Sequence, residues 1–124
     1  MKKISVLIVD DYIDNRLLIG QIAEILGYDY TYANNGALAL DALNAKNYDI
    51  ILMDIEMPVL NGIETTRKIR NLHNRDKSRT PIIAITAHFV EDFANKYYDV
   101  GFNDFLTKPY TMEKLEELII KTLS

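Results

Sequence analysis

Polar residues that could do chemistry stand directly after several apolar runs of the sequence. Two adjacent acids follow the first run, one acid follows the third, a threonine ends the fourth, and a lysine follows the fifth: Asp10, Asp11, Asp54, Thr86 and Lys108. Taken singly, an Asp or Thr in such a place is usually a turn or helix-capping residue. Three carboxylates, one hydroxyl and one ammonium brought together would instead form a reactive site.

The chemistry that suits this set is magnesium-dependent phosphoryl transfer. Neighbouring carboxylates raise each other's pKa unless cations share the site. Lys108 supplies one positive charge, and Mg2+, which takes carboxylate, water and phosphate oxygens as ligands, is the natural second. Asp54 is then a nucleophile for a phosphoryl group, with Mg2+ and Lys108 neutralising its oxygens and the Thr86 hydroxyl donating to one of them. An ionised carboxylate needs no general base for this step.

Alternation of short apolar runs with segments of helical periodicity predicts the elements that position these residues. The predicted strands are Ile4–Val9, Tyr28–Ala33, Asp49–Met53, Pro81–Thr86 and Asn103–Thr107. The predicted helices span residues 14–26, 36–46, 62–73, 89–99 and 111–123. This order is (βα)5.

The third and fourth strands predict a buried parallel sheet. The runs Ile50–Met53 and Ile82–Ile85 are continuously apolar rather than alternating, as in strands that helices cover on both faces. We therefore expect an α/β fold, a doubly wound five-stranded parallel sheet of order 2-1-3-4-5. In that order the first and third strands are neighbours, so Asp10, Asp11 and Asp54 meet in one crevice at the carboxyl end of the sheet.

Composition limits the other classes of function. The chain has 124 residues with a net charge of −4, so neither nucleic acid nor another polyanion is expected as a direct partner. It has no cysteine, which removes thiolate, disulfide and zinc-thiolate chemistry and suits a cytoplasmic location. No apolar run approaches the roughly 18 residues that a membrane span needs, so no membrane contact is expected.

The motifs in register resemble those of response-regulator receiver domains of two-component and phosphorelay signalling, the chemotaxis regulators among them. The resemblance covers essentially the whole chain and implies one receiver domain over residues 1–124 with a flavodoxin-like receiver fold. It rests on Val9-Asp10-Asp11, on the stretch from Met53 to Gly62 (Met-Asp-Ile-Glu-Met-Pro-Val-Leu-Asn-Gly), on Thr86-Ala87 and on Lys108-Pro109. Each motif alone is weak, but the four in order are specific.

The resemblance assigns the acidic residues their roles. It implies that Asp54 accepts a phosphoryl group from a histidine kinase or a histidine phosphotransfer protein. It also implies that Asp11, Asp54 and the backbone carbonyl of Glu56 bind Mg2+, and that Asp10 acts through a coordinated water. The protein is then a signalling phospho-acceptor that catalyses only its own phosphorylation and dephosphorylation, and not an enzyme with another substrate.

Other residues take switch roles from the same resemblance. Lys108 is implied to pair with the phosphoryl oxygens, and its bond to Pro109 to be cis. Thr86 is the implied switch, with Phe105 as the aromatic residue that moves with it; Phe105 lacks the phenol that many receivers carry there. Glu56 and His88 occupy positions that tune the phosphoryl lifetime. A downstream effector protein is expected on the face of the fourth predicted helix, the fifth strand and the fifth predicted helix.

Three other functions use related features. A phosphohydrolase of the haloacid-dehalogenase type also uses Asp, Thr and Lys around Mg2+, but its nucleophile lies in a D-x-D pattern, whereas Asp10 is followed by Asp11 and Tyr12. A flavodoxin-type cofactor carrier would not place two acids where phosphate binds. A receiver-like interaction module that is never phosphorylated remains open. The basic run from Arg67 to Arg79 is either a docking patch or, more simply, a solvated helix face.

Overall fold

The structure is a computed structural model, and it describes residues 3–57 and 61–124. Five strands form one parallel sheet in the order β2-β1-β3-β4-β5, so the predicted topology is confirmed. The strands are β1 (Ser5–Val9), β2 (Asp29–Ala33), β3 (Ile50–Asp54), β4 (Ile82–Thr86) and β5 (Asp104–Thr107). The helices are α1 (Ile13–Leu26), α2 (Gly36–Ala45), α3 (Gly62–Arg70), α4 (Arg75–Ser78), α5 (Val90–Tyr97) and α6 (Met112–Leu123).

Side chains of the central strands alternate between two apolar layers. Leu7 of β1 packs in one layer with residues of α2, α3 and α5, whereas its neighbour Ile8 packs in the other with residues of α1 and α6. Every residue of β3 and of β4 is buried. The continuous apolar runs therefore reflect helices on both faces of the sheet, as predicted.

The segment after α3 differs from the sequence prediction. The predicted helix over residues 62–73 ends at Arg70, and a one-turn helix, α4, follows it. Asparagine side chains make the break: the Asn71 amide donates to the Arg67 carbonyl, and the Asn74 side chain accepts from the Lys77 backbone N–H. Such side chains compete with helical hydrogen bonds and favour helix ends. The predicted fourth and fifth helices are consequently α5 and α6.

The helices also bear on whether the chain spans a membrane. Among the residues that the structure describes, no helix combines the length and apolar character needed to cross a bilayer. Of the sequence motifs, only Pro58, Val59 and Leu60 in the stretch from Met53 to Gly62 lie outside the described residues.

Candidate functional site

The carboxylates of Asp10, Asp11 and Asp54 meet at the carboxyl end of the sheet. One oxygen from each lies within 4.8 Å of the others. Asp10 and Asp54 are 1% and 3% exposed, whereas Asp11 is open to solvent. The site is thus a pair of buried acids with an accessible third acid at its rim.

Strand register brings these acids together. Val9 pairs with Met53 where β1 and β3 run side by side, so Asp10 and Asp54 occupy the next position on each strand. The Tyr12 backbone N–H donates to Asp10 Oδ1 at 2.9 Å, which orients that carboxylate. The register of β1 and β3 therefore sets the spacing of Asp10 and Asp54.

Gly62 allows α3 to begin close behind the end of β3. A Cβ atom at this position would lie 2.5 Å from the Asp54 carbonyl oxygen and 2.9 Å from Ile55 Cα, and both are backbone atoms that cannot turn aside. The Gly62 N–H donates to the Ile55 carbonyl at 3.1 Å. Only glycine fits this close approach between the helix start and the strand end.

Burial and mutual repulsion disfavour the ionised forms of the two buried acids, and Lys108 offsets this only in part. Burial, and then the charge of Asp10, raises the pKa of Asp54 to about 6, although Lys108 acts in the opposite direction. Burial likewise raises the pKa of Asp10. A cluster of oxygen donors with uncompensated negative charge suits a hard divalent cation such as Mg2+. The residues present therefore fit the metal that the family resemblance implies.

Lys108 provides the cation within the chain. Its Nζ lies 3.2 Å from Asp54 Oδ1, and its side chain is 29% exposed. The Lys108 backbone N–H donates to the Thr86 carbonyl at 2.8 Å, which extends the pairing of β5 with β4 to the site. The Lys108–Pro109 peptide bond is cis.

The Thr86 hydroxyl is bonded to Glu56. Thr86 is fully buried, and its Oγ1 donates to Glu56 Oε1 at 3.2 Å while accepting the His88 backbone N–H at 3.1 Å. The His88 imidazole Nε2 lies 3.3 Å from the same Glu56 oxygen. The implied switch residue and the two residues implied to tune phosphoryl lifetime thus form one hydrogen-bonded group beside Asp54.

Phe105 belongs to an aromatic cluster on the α5 side of the sheet. Its ring packs edge-on against Phe93 and Phe102, with both ring centroids 5.7 Å away, and Phe93 also contacts Tyr97. Phe93 is buried and Phe105 is partly buried. The aromatic residue of β5 is therefore anchored by apolar packing alone, as expected for a ring without a phenol.

One residue beside the acids was missed by the sequence reasoning. Tyr110 is partly buried next to the cluster: burial, and then the charges of Asp10 and Asp54, raise its pKa to about 12. Together with Asp10, Asn15, Leu18 and Lys108 it lines a cavity of about 230 Å3 between α1 and the loop after β5. Its position two residues after Lys108 was a signal, but neither periodicity nor any motif singled it out.

Comparison with known proteins identifies the family. A sequence model described as the response regulator receiver domain matches residues 6–120. The chain therefore belongs to the response regulator receiver domain family of two-component systems. Proteins of this family work with histidine kinases or phosphotransfer proteins.

Individual relatives agree with this assignment. The chain is 40% identical over 120 residues to hybrid signal transduction histidine kinase I of Dictyostelium discoideum; the match covers 93% of this chain and 7% of that kinase. The chemotaxis regulator CheY4 of Vibrio cholerae has a similar structure, with a TM-score of 0.90, 28% identity, and coverage of 98% of this chain and 100% of that one.

A third relative was solved with magnesium coordinated in its active-site cleft. It is the receiver domain of the sensor histidine kinase PA1611 from Pseudomonas aeruginosa. Its TM-score is 0.88 at 32% identity, with 98% of each chain covered.

Proposed function

We propose that Asp54 is the phospho-acceptor of this receiver domain, and that it takes its phosphoryl group from a histidine kinase or a histidine phosphotransfer protein in a Mg2+-dependent reaction. The observation that carries this proposal is the setting of the Asp54 carboxylate. It is 3% exposed, it lies beside two further carboxylates, and the Lys108 ammonium is 3.2 Å from its Oδ1. A buried acid with one cation at hand can receive a dianionic group only where positive charge is concentrated.

The transfer exchanges one bond to phosphorus for another. A carboxylate oxygen of Asp54 attacks the phosphorus of a phosphohistidine and forms an acyl phosphate. The P–N bond breaks, its electron pair stays on the imidazole nitrogen, and that nitrogen takes a proton from solvent. Because the carboxylate attacks in its ionised form, the step requires a deprotonated Asp54, which the positive charge of Lys108 favours.

The metal ligands follow from the acidic cluster. Asp11, Asp54 and the backbone carbonyl of Glu56 would hold Mg2+, with Asp10 acting through a bound water. When bound, the ion supplies positive charge to the phosphoryl oxygens during transfer. Exposure of Asp11 leaves a route for the ion from solvent, while burial of Asp10 keeps its carboxylate in a fixed position.

The output follows from residues that connect the site to a surface. Lys108 pairs with the phosphoryl oxygens, the Thr86 hydroxyl turns toward them, and Phe105 adjusts its packing on α5. The face formed by α5, β5 and α6 then binds a downstream effector protein with altered affinity. Glu56 and His88 tune the lifetime of the phosphoryl group. The chain acts in the cytoplasm as a signalling phospho-acceptor, and the only reactions it catalyses are its own phosphorylation and dephosphorylation.

Intact-mass spectrometry tests this proposal. The chain is incubated with a small-molecule phosphodonor, with Mg2+ or with a chelator, alongside Asp54→Asn and the control Asp41→Asn, which changes an exposed acid of α2. We expect one phosphoryl adduct in the parent chain and in the control, present only with Mg2+ and absent from Asp54→Asn. A folded chain that gains no adduct from this donor or from a phosphohistidine protein would support a receiver-like interaction module instead.

A further inference from the structure

We propose that the Glu56 carboxylate is a positioning residue that restrains the switch: it holds the Thr86 hydroxyl proton in the unphosphorylated protein and must release it before Thr86 can bind the phosphoryl group. This inference rests on the proposed function of Asp54 and adds an internal competitor to it. The observation behind it is the 3.2 Å hydrogen bond from Thr86 Oγ1 to Glu56 Oε1.

The competition arises because a hydroxyl has one proton to donate. Thr86 Oγ1 accepts the His88 backbone N–H at 3.1 Å, and because an ionised carboxylate can only accept, the Thr86 proton is donated to Glu56. The Thr86 side chain is fully buried, so water does not replace either partner freely. A phosphoryl oxygen on Asp54 therefore gains the Thr86 hydroxyl only at the expense of Glu56.

The His88 side chain also contacts the Glu56 carboxylate. Its imidazole Nε2 lies 3.3 Å from Glu56 Oε1, the same oxygen that accepts from Thr86. The side chains of His88 and Glu56 are 68% and 44% exposed, so this contact is weak and screened by solvent. One residue thus contacts both ends of the Glu56–Thr86 hydrogen bond, through its backbone at one end and its side chain at the other.

Charge supplies the means of release. Glu56 lies near enough to Asp54 that its negative charge contributes to raising the pKa of Asp54. Phosphorylation takes the acceptor from one negative charge toward roughly two, which strengthens the repulsion of the Glu56 carboxylate and offers Thr86 a better acceptor. Both effects favour transfer of the Thr86 hydrogen bond from Glu56 to the phosphoryl group. The strength of the Glu56–Thr86 hydrogen bond therefore sets the free-energy cost of the switch.

The test compares Glu56→Ala with Glu56→Gln. Both variants lose the charge, but glutamine retains an oxygen that can accept from Thr86. The probe is beryllofluoride with Mg2+, a mimic of an acyl phosphate, and its binding midpoint is followed by NMR of backbone amides. We expect Glu56→Ala to bind about two- to tenfold more tightly than Glu56→Gln, the range that one hydrogen bond represents.

A second background isolates the hydroxyl. Thr86→Val keeps the shape of the buried side chain and removes its proton donor. In that background Glu56→Ala and Glu56→Gln should bind the mimic equally. Equal binding of the two Glu56 variants in the Thr86 background, or the same difference in both backgrounds, would overturn the proposal and leave Glu56 acting by charge alone.

The unligated protein gives an independent result. The His88 amide proton, which donates to Thr86 Oγ1, should move further in Glu56→Ala than in Glu56→Gln because only alanine removes the partner of that hydroxyl. An unchanged His88 amide would contradict the proposal. If the two variants show the expected His88 shifts but the parent chain binds no beryllofluoride, the result would contradict the phospho-acceptor function of Asp54 while supporting the Glu56–Thr86 hydrogen bond.

Discussion

Lys108 Nζ lies 3.2 Å from Asp54 Oδ1, although 54 positions of the chain separate the two residues. The contact exists because β3 and β5 flank β4 and end at the same edge of the sheet. It is the one cation that the described residues place on the buried acid, and the pKa of Asp54 is still raised to about 6. The site is therefore poised to gain more positive charge than the chain itself provides.

Removing the ammonium should slow phosphorylation. In Lys108→Met the pKa of Asp54 rises further, since Lys108 now lowers it, and the phosphoryl oxygens lose a charged donor. A fixed donor of this kind is typically worth about 100-fold or more in rate. We expect that loss in the rate of adduct formation from a small phosphodonor, measured by intact mass at saturating Mg2+.

Lys121→Met is the matched control for this change. The Lys121 side chain is 77% exposed on α6, and its Nζ contacts Asp104 rather than the acids. Its rate should equal that of the parent chain. Equal rates for Lys108→Met and Lys121→Met would show that the Lys108 contact with Asp54 has no part in the transfer.

Neutralising Asp54 should stabilise the fold when no divalent cation is present. The pKa of this acid rises from an ordinary value of 3.8 to about 6 on folding, which corresponds to about 3 kcal/mol against the ionised folded state. Asp54→Asn removes that cost but also the pairing with Lys108. We expect a net gain of about 1–2 kcal/mol in the free energy of unfolding near pH 7, measured by urea denaturation with a chelator.

The gain should depend on pH in one direction. Between pH 3.8 and about 6 the folded chain binds more protons at Asp54 than the unfolded chain does, so parent stability falls as pH rises through this window. Asp54→Asn lacks this slope, and its advantage should shrink toward about pH 4. Added Mg2+ should stabilise the parent chain more than the variant. A gain of the same size at both pH values would refute the electrostatic explanation.

A methyl group at Gly62 should disturb β3, the strand that ends at Asp54. Gly62→Ala places a Cβ 2.5 Å from the Asp54 carbonyl oxygen, so the start of α3 or the end of β3 must shift. We expect a loss of about 1–3 kcal/mol in stability, as for other overpacked sites, and slower phosphorylation. Thermal unfolding and adduct formation measure the two effects.

Gly27→Ala separates local strain from damage to the site. Gly27 ends α1 with φ of 78°, and a Cβ there would meet no atom within 4 Å. The substitution should cost about 1 kcal/mol from the left-handed backbone and leave phosphorylation unchanged. If Gly62→Ala behaved like Gly27→Ala in both thermal unfolding and adduct formation, the close approach of Gly62 to Asp54 would have no role in phosphorylation.

A partly buried arginine away from the acids should matter for stability alone. The Arg70 guanidinium makes five hydrogen bonds of 2.7–2.9 Å; its acceptors are the carbonyls of Gly101, Ser78 and Thr80 and the Asn103 side chain. Arg70→Met should therefore cost about 2–4 kcal/mol, measured by urea unfolding. The exposed Arg67→Met should stay within about 0.5 kcal/mol of the parent. A similar cost for both, or a phosphorylation rate altered in folded Arg70→Met, would contradict this role.

The sheet was predictable because its signals are local. Short, continuous, β-branched apolar runs such as Ile82–Ile85 indicate strands covered on both faces, and parallel connection then leaves few strand orders. The end of α3 was not predictable in the same way. Residues 71–74 contain no Gly or Pro to mark a helix end, and the break depends on how the Asn71 and Asn74 side chains bond to the backbone. The one-turn helix α4 is too short to show a period.

The site, too, was predictable where its signals are local and not where side chains pair across loops. Residues that end strands, such as Asp10 and Asp54, could be placed together from topology alone. The basic run suggested a solvated face, which is wrong for Arg70, because its guanidinium donates to backbone carbonyls that include Gly101, 31 positions away. The Glu56–Thr86 hydrogen bond likewise spans 30 positions and follows from no motif. Side-chain pairing across loops needs coordinates.

The most direct test of the account is to locate the phosphoryl group in the chain. After reaction with a phosphodonor and Mg2+, borohydride reduces an aspartyl phosphate to homoserine, and peptide mass mapping identifies the converted residue. We predict conversion at Asp54 alone, with Asp10 and Asp11 unchanged and no conversion when Mg2+ is chelated. Conversion at Asp10 or Asp11, or none in a folded chain that carries a phosphoryl adduct, would contradict the central claim that Asp54 is the acceptor.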